Sequence, residues 1–404
     1  MKKNIIFITK DAFRKGALPV YGEGCGFKTP NIDELAAKGT VFHRHYTAGG
    51  STAMAFISMA LGKYCYETDR KLYNGKEGGD EGDTLFDELY EAGYDVHIAW
   101  DDSYRVFAEQ HFKCEGKHTT VHALKHIIPF HPAHVTGKFD DLTFRPEKTE
   151  ESLAIVEDLV KSLSENREKP IFLWLHMPHV FAGRNAYDSD IDVFDQVVGI
   201  FRKYFDDDTI HISADHGQMA GHKGKFGYGF DTEDSVMNIP LITPKFMGLD
   251  RVDFVTSTVQ MAEIFGVREF KQREYVFSET AYYCQPCRKV AVVHGNFKLV
   301  YDKKEKKYFL YDLAWDKDEL HNLYYPEFYD VDRHDWYSLN QRFYYPNWEE
   351  AHKEREYLTE ILCGMWRNGG FFEESYQKLR HRARLIVARL TRKKKQKHVQ
   401  NRGK

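Results

Sequence analysis

The chain has 404 residues, a formal net charge of −4, and apolar and aromatic contents of 42% and 15%. That is core material for a large domain plus a smaller appendage, and it excludes disorder as the general state. No run of about 18 or more apolar residues occurs, which excludes a helical membrane span.

Charge is unevenly placed. Residues 378–404 hold 12 Lys/Arg and no Asp or Glu, leaving −16 on the preceding 377 residues. An acidic body with a basic tail is compatible with peripheral contact to an anionic membrane. No nucleic-acid module is recognisable, so no nucleic-acid partner is expected. Six cysteines (Cys25, Cys65, Cys114, Cys284, Cys287, Cys363) form no evident disulfide framework. Cys284 and Cys287 have CxxC spacing but lack a second pair, and read as ordinary thiols. The N-terminal apolar run is about five residues, shorter than a secretory core of roughly 7–15. It reads as a first strand, and the protein as cytoplasmic.

In chain order, Asn4–Thr9 is a β-branched apolar run of the buried parallel kind. Thr29-Pro30-Asn31 opens a helix, Ile32–Lys38, closed by Gly39. Strand Val41–Tyr46 and helix Ser51–Leu61 follow, the helix entered from Gly49-Gly50. Helix Thr84–Ala92, strand Tyr94–Trp100, helix Glu150–Glu165, strand Pro170–His176, helix Tyr187–Phe205 and strand Thr209–Ser213 continue the alternation. Such alternation predicts an α/β domain with a largely parallel sheet. After about residue 285, strands Lys289–Val293, Phe297–Tyr301 and Tyr308–Asp312 with short turns predict an antiparallel meander. Helices are expected at Glu349–Trp366 and Glu373–Leu390, while Pro326–Asn347 shows no clear period. We divide the chain into residues 1–285, a catalytic α/β domain; 286–347, an antiparallel subdomain; and 348–404, a helical extension with basic tail. Asp316–Glu319 reads as a loop of charges without a function, and His176 as a structural, hydrogen-bonded histidine.

Three polar clusters sit where strands end, the position at which parallel α/β sheets build sites. They are Asp11, the turn Gly49-Gly50-Ser51-Thr52, and Asp215-His216-Gly217. The turn places hydroxyls at a helix N-terminus, where the dipole and free N–H groups favour anions. Asp11, Asp215 and His216 offer two hard oxygens and an imidazole, a set that suits Zn²⁺ or Mn²⁺ better than Ca²⁺.

These residues resemble the sulfatase-like branch of the alkaline phosphatase superfamily. The resemblance runs through the opening strand with Asp11, Thr29-Pro30-Asn31-Ile32-Asp33, Ala48–Tyr64, Leu175-His176-Met177-Pro178-His179, Asp215-His216-Gly217 through Ile239-Pro240, and Phe297–Asn322. It implies an alkaline phosphatase-like fold and assigns roles by position. Asp11, Thr52, Asp215 and His216 fall on metal-ligand positions, and Thr52 also on the nucleophile, with Ser51 the alternative. His179 and Lys225 fall on groups that contact substrate oxygens, with His222 and Asn74 as further substrate-side candidates. The site pattern is closest to phosphonate monoester hydrolase-like and threonine-nucleophile phosphotransferase members.

Departures from the family sharpen the expectation. Thr52-Ala53-Met54-Ala55-Phe56 lacks the C/S-x-P/A-x-R context for formylglycine, so none is expected. Asp101-Asp102 stands where sulfatases place a Lys–His clamp, Ala12 replaces a second carboxylate, and His216 replaces the Asn of Ca²⁺ sulfatases. Together these imply a metal-dependent hydrolase or transferase of phosphate or phosphonate esters, acting through a phosphothreonine on a small-molecule or glycan- or lipid-linked substrate. An atypical sulfatase, or an inactive member serving as a binding scaffold, are the alternatives.

Overall fold

The computed structural model describes residues 2–22, 27–68, 82–101, 118–124, 146–165, 168–178, 184–280, 289–324 and 345–368. The expected helix Glu373–Leu390, the basic tail and the CxxC pair lie outside them.

The chain opens with β1 (Ile5–Lys10), α1 (Pro30–Lys38), β2 (Thr40–Tyr46), α2 (Thr52–Leu61), α3 (Leu85–Glu91), β3 (Asp95–Asp101) and β4 (Thr119–Leu124). It continues with α4 (Pro146–Ser164), β5 (Ile171–Met177), α5 (Arg184–Tyr204), β6 (Ile210–Ala214) and the small hairpin β7 (Met219–Ala220) and β8 (Phe226–Gly227). Then come β9 (Asn238–Thr243), β10 (Arg251–Val252) and β11 (Thr256–Ser257). Nine strands form the main sheet in the order β10-β2-β9-β6-β1-β5-β3-β4, with β11 also on β2. Every pairing is parallel except those of β9 with β2 and β6. This is the expected α/β architecture, with strand and helix ends within a few residues of the sequence reading.

Both faces of β1 are covered, which is why its sequence is continuously apolar rather than alternating. Ile6 and Ile8 pack with α1, α4 and α5 on one face. Ile5 and Phe7 pack with α2 and α3 on the other. The Thr29-Pro30-Asn31 start of α1 is seated by Asp195 of α5, which accepts from the Ile32 N–H at 2.9 Å and the Asn31 side-chain amide at 2.9 Å. One carboxylate thus satisfies helix-terminal donors that lack intrahelical partners.

Strand β9 was not evident from sequence because Pro240 interrupts it. Proline has no N–H for the ladder and is tolerated at bulges. The β2–β9 register breaks there: Phe42 faces Leu241, and His45 faces Ile239.

The second sheet contains β12 (Tyr275–Glu279), β13 (Lys289–His294), β14 (Phe297–Asp302) and β15 (Lys307–Asp312), all antiparallel in that order. Its first strand therefore precedes the meander read from sequence. The helix α6 (Trp348–Asn368) closes one face, burying Ala351, Leu358, Leu362 and Met365 with Val290, Val292, Leu299 and Leu310.

The stretch Asp316–Glu319 is more than a charged loop. Glu319, 4% exposed, accepts from buried Lys298 at 2.8 Å, which also pairs with Asp234 at 3.0 Å. The Asp234 N–H donates to Glu319 at 2.6 Å. A fixed ionic cluster thus joins the small sheet to the loop that follows β8. Burial pushes the Glu319 carboxyl up to about 7, with Lys298 opposing. The folded state therefore holds this proton more tightly than the unfolded chain, whose ordinary value is 4.5. The Glu319 contribution to stability is complete below pH 4.5 and lost as pH rises through about 7. Subtracting melting curves of Glu319→Gln from wild type between pH 4.5 and 8 should expose this slope; a pH-independent difference would contradict it.

Candidate metal and catalytic centre

Strands β1 and β6 are adjacent and parallel, with Lys10 paired to Ala214. The next residues, Asp11 and Asp215, consequently emerge side by side at the carboxyl edge of the sheet. One ligand atom from each of Asp11, Asp215 and His216 lies within 4.8 Å of the others. All three residues are buried, as is Thr52. Thr52 is the first residue of α2, and its Oγ1 is 3.3 Å from His216 Nε2. Sequence reasoning placed these four together, and the structure has them together; Thr52 rather than Ser51 makes the contact.

The imidazole is oriented by its own neighbour. His216 Nδ1 lies 2.8 Å from the Gly217 carbonyl oxygen. A carbonyl can only accept, so Nδ1 carries a proton and Nε2 is the nitrogen turned toward the centre. Nε2 faces Asp215 Oδ2 at 3.4 Å and Asp11 Oδ1 at 3.6 Å. Asp215 Oδ1 is already committed, accepting the His216 N–H at 2.7 Å and the Ala12 N–H at 3.2 Å. Asp215 Oδ2 has no hydrogen-bond partner among the described residues. Electron-pair donors converging in a water-excluded space fit a divalent cation, which two carboxylates, one imidazole and the Thr52 oxygen would hold.

The surroundings fix this geometry. Tyr228, which sequence reasoning missed, lies with its ring 4.2 Å from the His216 ring. Only its place shortly after Asp215-His216-Gly217 could have signalled it. Gly217 donates its N–H to Val236 O at 2.8 Å, and a Cβ there would collide with the Ser235 carbonyl oxygen. The turn before Thr52 is gripped by β12: the Gly50 N–H donates to Glu279 O at 3.0 Å, and the Glu279 N–H to Ala48 O at 2.9 Å. The small sheet therefore positions the nucleophile candidate.

Lys225 pairs with Asp231 at 2.5 Å, and Lys289 takes the second oxygen of that carboxylate at 2.6 Å. Burial alone would raise the Asp231 carboxyl, but Lys289 and Lys225 hold it at about 2. His222 belongs to the turn His222–Gly224, with its side chain outside the described set. His179, Asn74 and Asp102 also lie outside it. His176 is buried and bonded to Thr9 Oγ1 at 2.9 Å, as its structural reading requires. Burial keeps it neutral by lowering its pKa to about 3.

Trp100 is in register with His176 and packs on the α2 face. Asp101, one residue on, points to the opposite face with Ala99. Lys10, unnoticed in the sequence, is fully buried beside Asp11 and pairs with Asp190 of α5 at 2.5 Å.

The sequence matches the sulfatase family model over residues 3–243, and the chain belongs to that family, a family of hydrolases whose members use a divalent metal. No curated protein sequence matches it. Among solved structures, a candidate sulfatase from Bacteroides thetaiotaomicron is similar at 14% identity and a TM-score of 0.66, covering 92% of this chain and 94% of that one. The phosphonate monoester hydrolase of Agrobacterium radiobacter is similar at 16% identity and a TM-score of 0.62, covering 91% and 96%. A third, solved in complex with its substrate D-glucosamine-2-N,6-O-disulfate, has 14% identity and a TM-score of 0.59, covering 88% and 98%. At these identities the likeness is one of fold.

Replacing Gly217 by Ala should force the His216 backbone to shift. We expect a stability loss of about 1–3 kcal/mol together with weakened Mn²⁺ binding, read by thermal melting and calorimetric titration. Wild-type affinity in Gly217→Ala would show that the close approach to Ser235 does not set the ligand geometry.

Proposed function

We propose that the chain is a metal-dependent hydrolase or transferase of phosphate or phosphonate esters, with Thr52 as nucleophile. The observation that carries this reading is the Thr52 hydroxyl at a helix N-terminus, 3.3 Å from the His216 nitrogen that faces both carboxylates. A threonine in this context offers no route to formylglycine, so the alcohol itself must react.

Asp11, Asp215, His216 and Thr52 Oγ1 would hold Mn²⁺ or Zn²⁺, which supplies Lewis-acid charge and makes the hydroxyl easier to ionise. Thr52 Oγ1 attacks phosphorus as the bond to the leaving oxygen breaks, and that oxygen departs as an alcohol once protonated. The product on the enzyme is a phosphothreonine. Water or an acceptor alcohol then displaces Thr52, restoring its hydroxyl. Charge on the non-bridging oxygens is met by the first N–H groups of α2, and by Lys225 once it exchanges Asp231 for the substrate. By its place in the Leu175–His179 motif, His179 would supply a second contact to substrate oxygens. The basic tail would hold a lipid- or glycan-linked substrate near an anionic membrane.

A second reading has one observation in its favour. Without a cation, Thr52 donates its proton straight to His216 Nε2, the arrangement of a nucleophile and its general base. The two readings differ in one result. Chelation followed by Mn²⁺ or Zn²⁺ restores activity if a metal is required, whereas the direct pair works unchanged in chelator.

Thr52→Ala should abolish turnover of phosphomono- and phosphodiesters while leaving the melting temperature and Mn²⁺ binding close to wild type. Labelling with a phosphate ester should trap phosphate on Thr52 at low pH. Undiminished turnover in Thr52→Ala would remove covalent catalysis by that residue, and efficient arylsulfate hydrolysis with no phosphoester turnover would assign the site to sulfate.

A further inference from the structure

Lys10, the residue before Asp11, breaks the pattern of its own strand. Ile6 and Ile8 of β1 pack toward α5, and Lys10 is the next residue on that side. Asp190 of α5 lies one helical turn before Phe194 and on the same stripe as Val197, both of which pack on that face of the sheet. Apolar side chains at both positions would continue the core. Instead an ammonium and a carboxylate meet at 2.5 Å, each with about 1% of its side chain exposed.

Stability does not account for this choice. Desolvating two charges consumes what their attraction returns, so a buried pair is often no better than well-packed apolar residues of the same volume. What an apolar pair lacks is direction. The Lys10 ammonium also donates to the Pro178 carbonyl at 3.3 Å, one residue beyond the end of β5. The Asp11 N–H donates to the Met177 carbonyl at 2.9 Å. The exit of β1 is thus tied to β5 by its backbone, and to Pro178 and α5 by one side chain.

The chain leaves β1 under strain. Ala12 has a φ of 55°, in the left-handed region that residues other than glycine avoid. Such a conformation persists only where the surroundings over-determine it. Asp215 Oδ1 holds Ala12 from one side, accepting its N–H at 3.2 Å, and the anchored Lys10 holds the chain from the other. Asp11 stands between these two anchors, and the direction of its carboxylate follows from them.

We propose that Lys10 and Asp190 are positioning residues. Their buried pair fixes the direction in which Asp11 enters the centre, and through it the affinity for a divalent cation, a role that rests on Asp11, Asp215 and His216 being metal ligands.

The test is calorimetric titration with Mn²⁺ alongside thermal melting, on the full chain freed of metal by chelation. Lys10→Met/Asp190→Val exchanges the pair for apolar groups, and Lys10→Leu/Asp190→Ala does so with less volume. At least one of these doubles should melt close to wild type. That double should bind Mn²⁺ about ten- to hundredfold more weakly, the range associated with losing a group that orients a metal ligand. Wild-type Mn²⁺ affinity in it overturns the proposal, because the pair then serves packing alone. So does early melting of both doubles, which would make the pair a stability element. A wild-type chain that binds neither Mn²⁺ nor Zn²⁺ instead overturns the metal reading of the centre, and the positioning role with it. None of these results depends on Thr52 being the nucleophile.

Discussion

Two carboxylate oxygens and an imidazole nitrogen point at one another in a space closed to water, and the rest of the architecture serves to hold them there. Like-charged acceptors a few ångströms apart repel, and burial removes the solvent that would screen them. A cation or a proton relieves that repulsion, and the cluster keeps its shape because the backbone resists relaxation. The resistance is visible: β1 and β6 are bonded neighbours in the sheet centre, Gly217 is pressed against Ser235, and Tyr228 lies on the imidazole. Fold and site are therefore one problem, solved by strand order.

The second sheet takes part in that solution. Its first strand bonds to the turn that presents Thr52, and its Lys298 is locked to Asp234. Removing it would loosen both the alcohol and the loop following β8. A subdomain that looks peripheral in sequence is thus a wall of the centre.

Much of this was legible in the residues. Asn4–Thr9, Pro170–His176 and Thr209–Ser213 are short β-branched or aromatic runs, and the polar residues that follow them could be placed at strand ends without coordinates. What escaped notice has physical causes. Strand β9 carries Pro240, whose missing N–H is accommodated only by the bulge in β2. Strand β4, Thr119–Leu124, is an edge strand with partly exposed residues, so it lacks the apolar signature of its neighbours. The Asp231 pairing with Lys289, and the bond from Asp234 to buried Glu319, join residues far apart in sequence. Charge alone marks such residues as solvated.

Lys10 and Asp190 illustrate how tightly this frame constrains its own variation. Each has about 1% of its side chain exposed, and the lysine also donates to the Pro178 carbonyl at 3.3 Å. Losing either partner would strand a charge in the interior at a cost of about 3–5 kcal/mol, while replacing both by apolar groups of similar volume can be neutral. The pair can be kept or exchanged whole at little cost in stability, but the single-step intermediates lie in a stability trough. Among descendants of this chain, a change at position 10 should arrive in company with one at position 190.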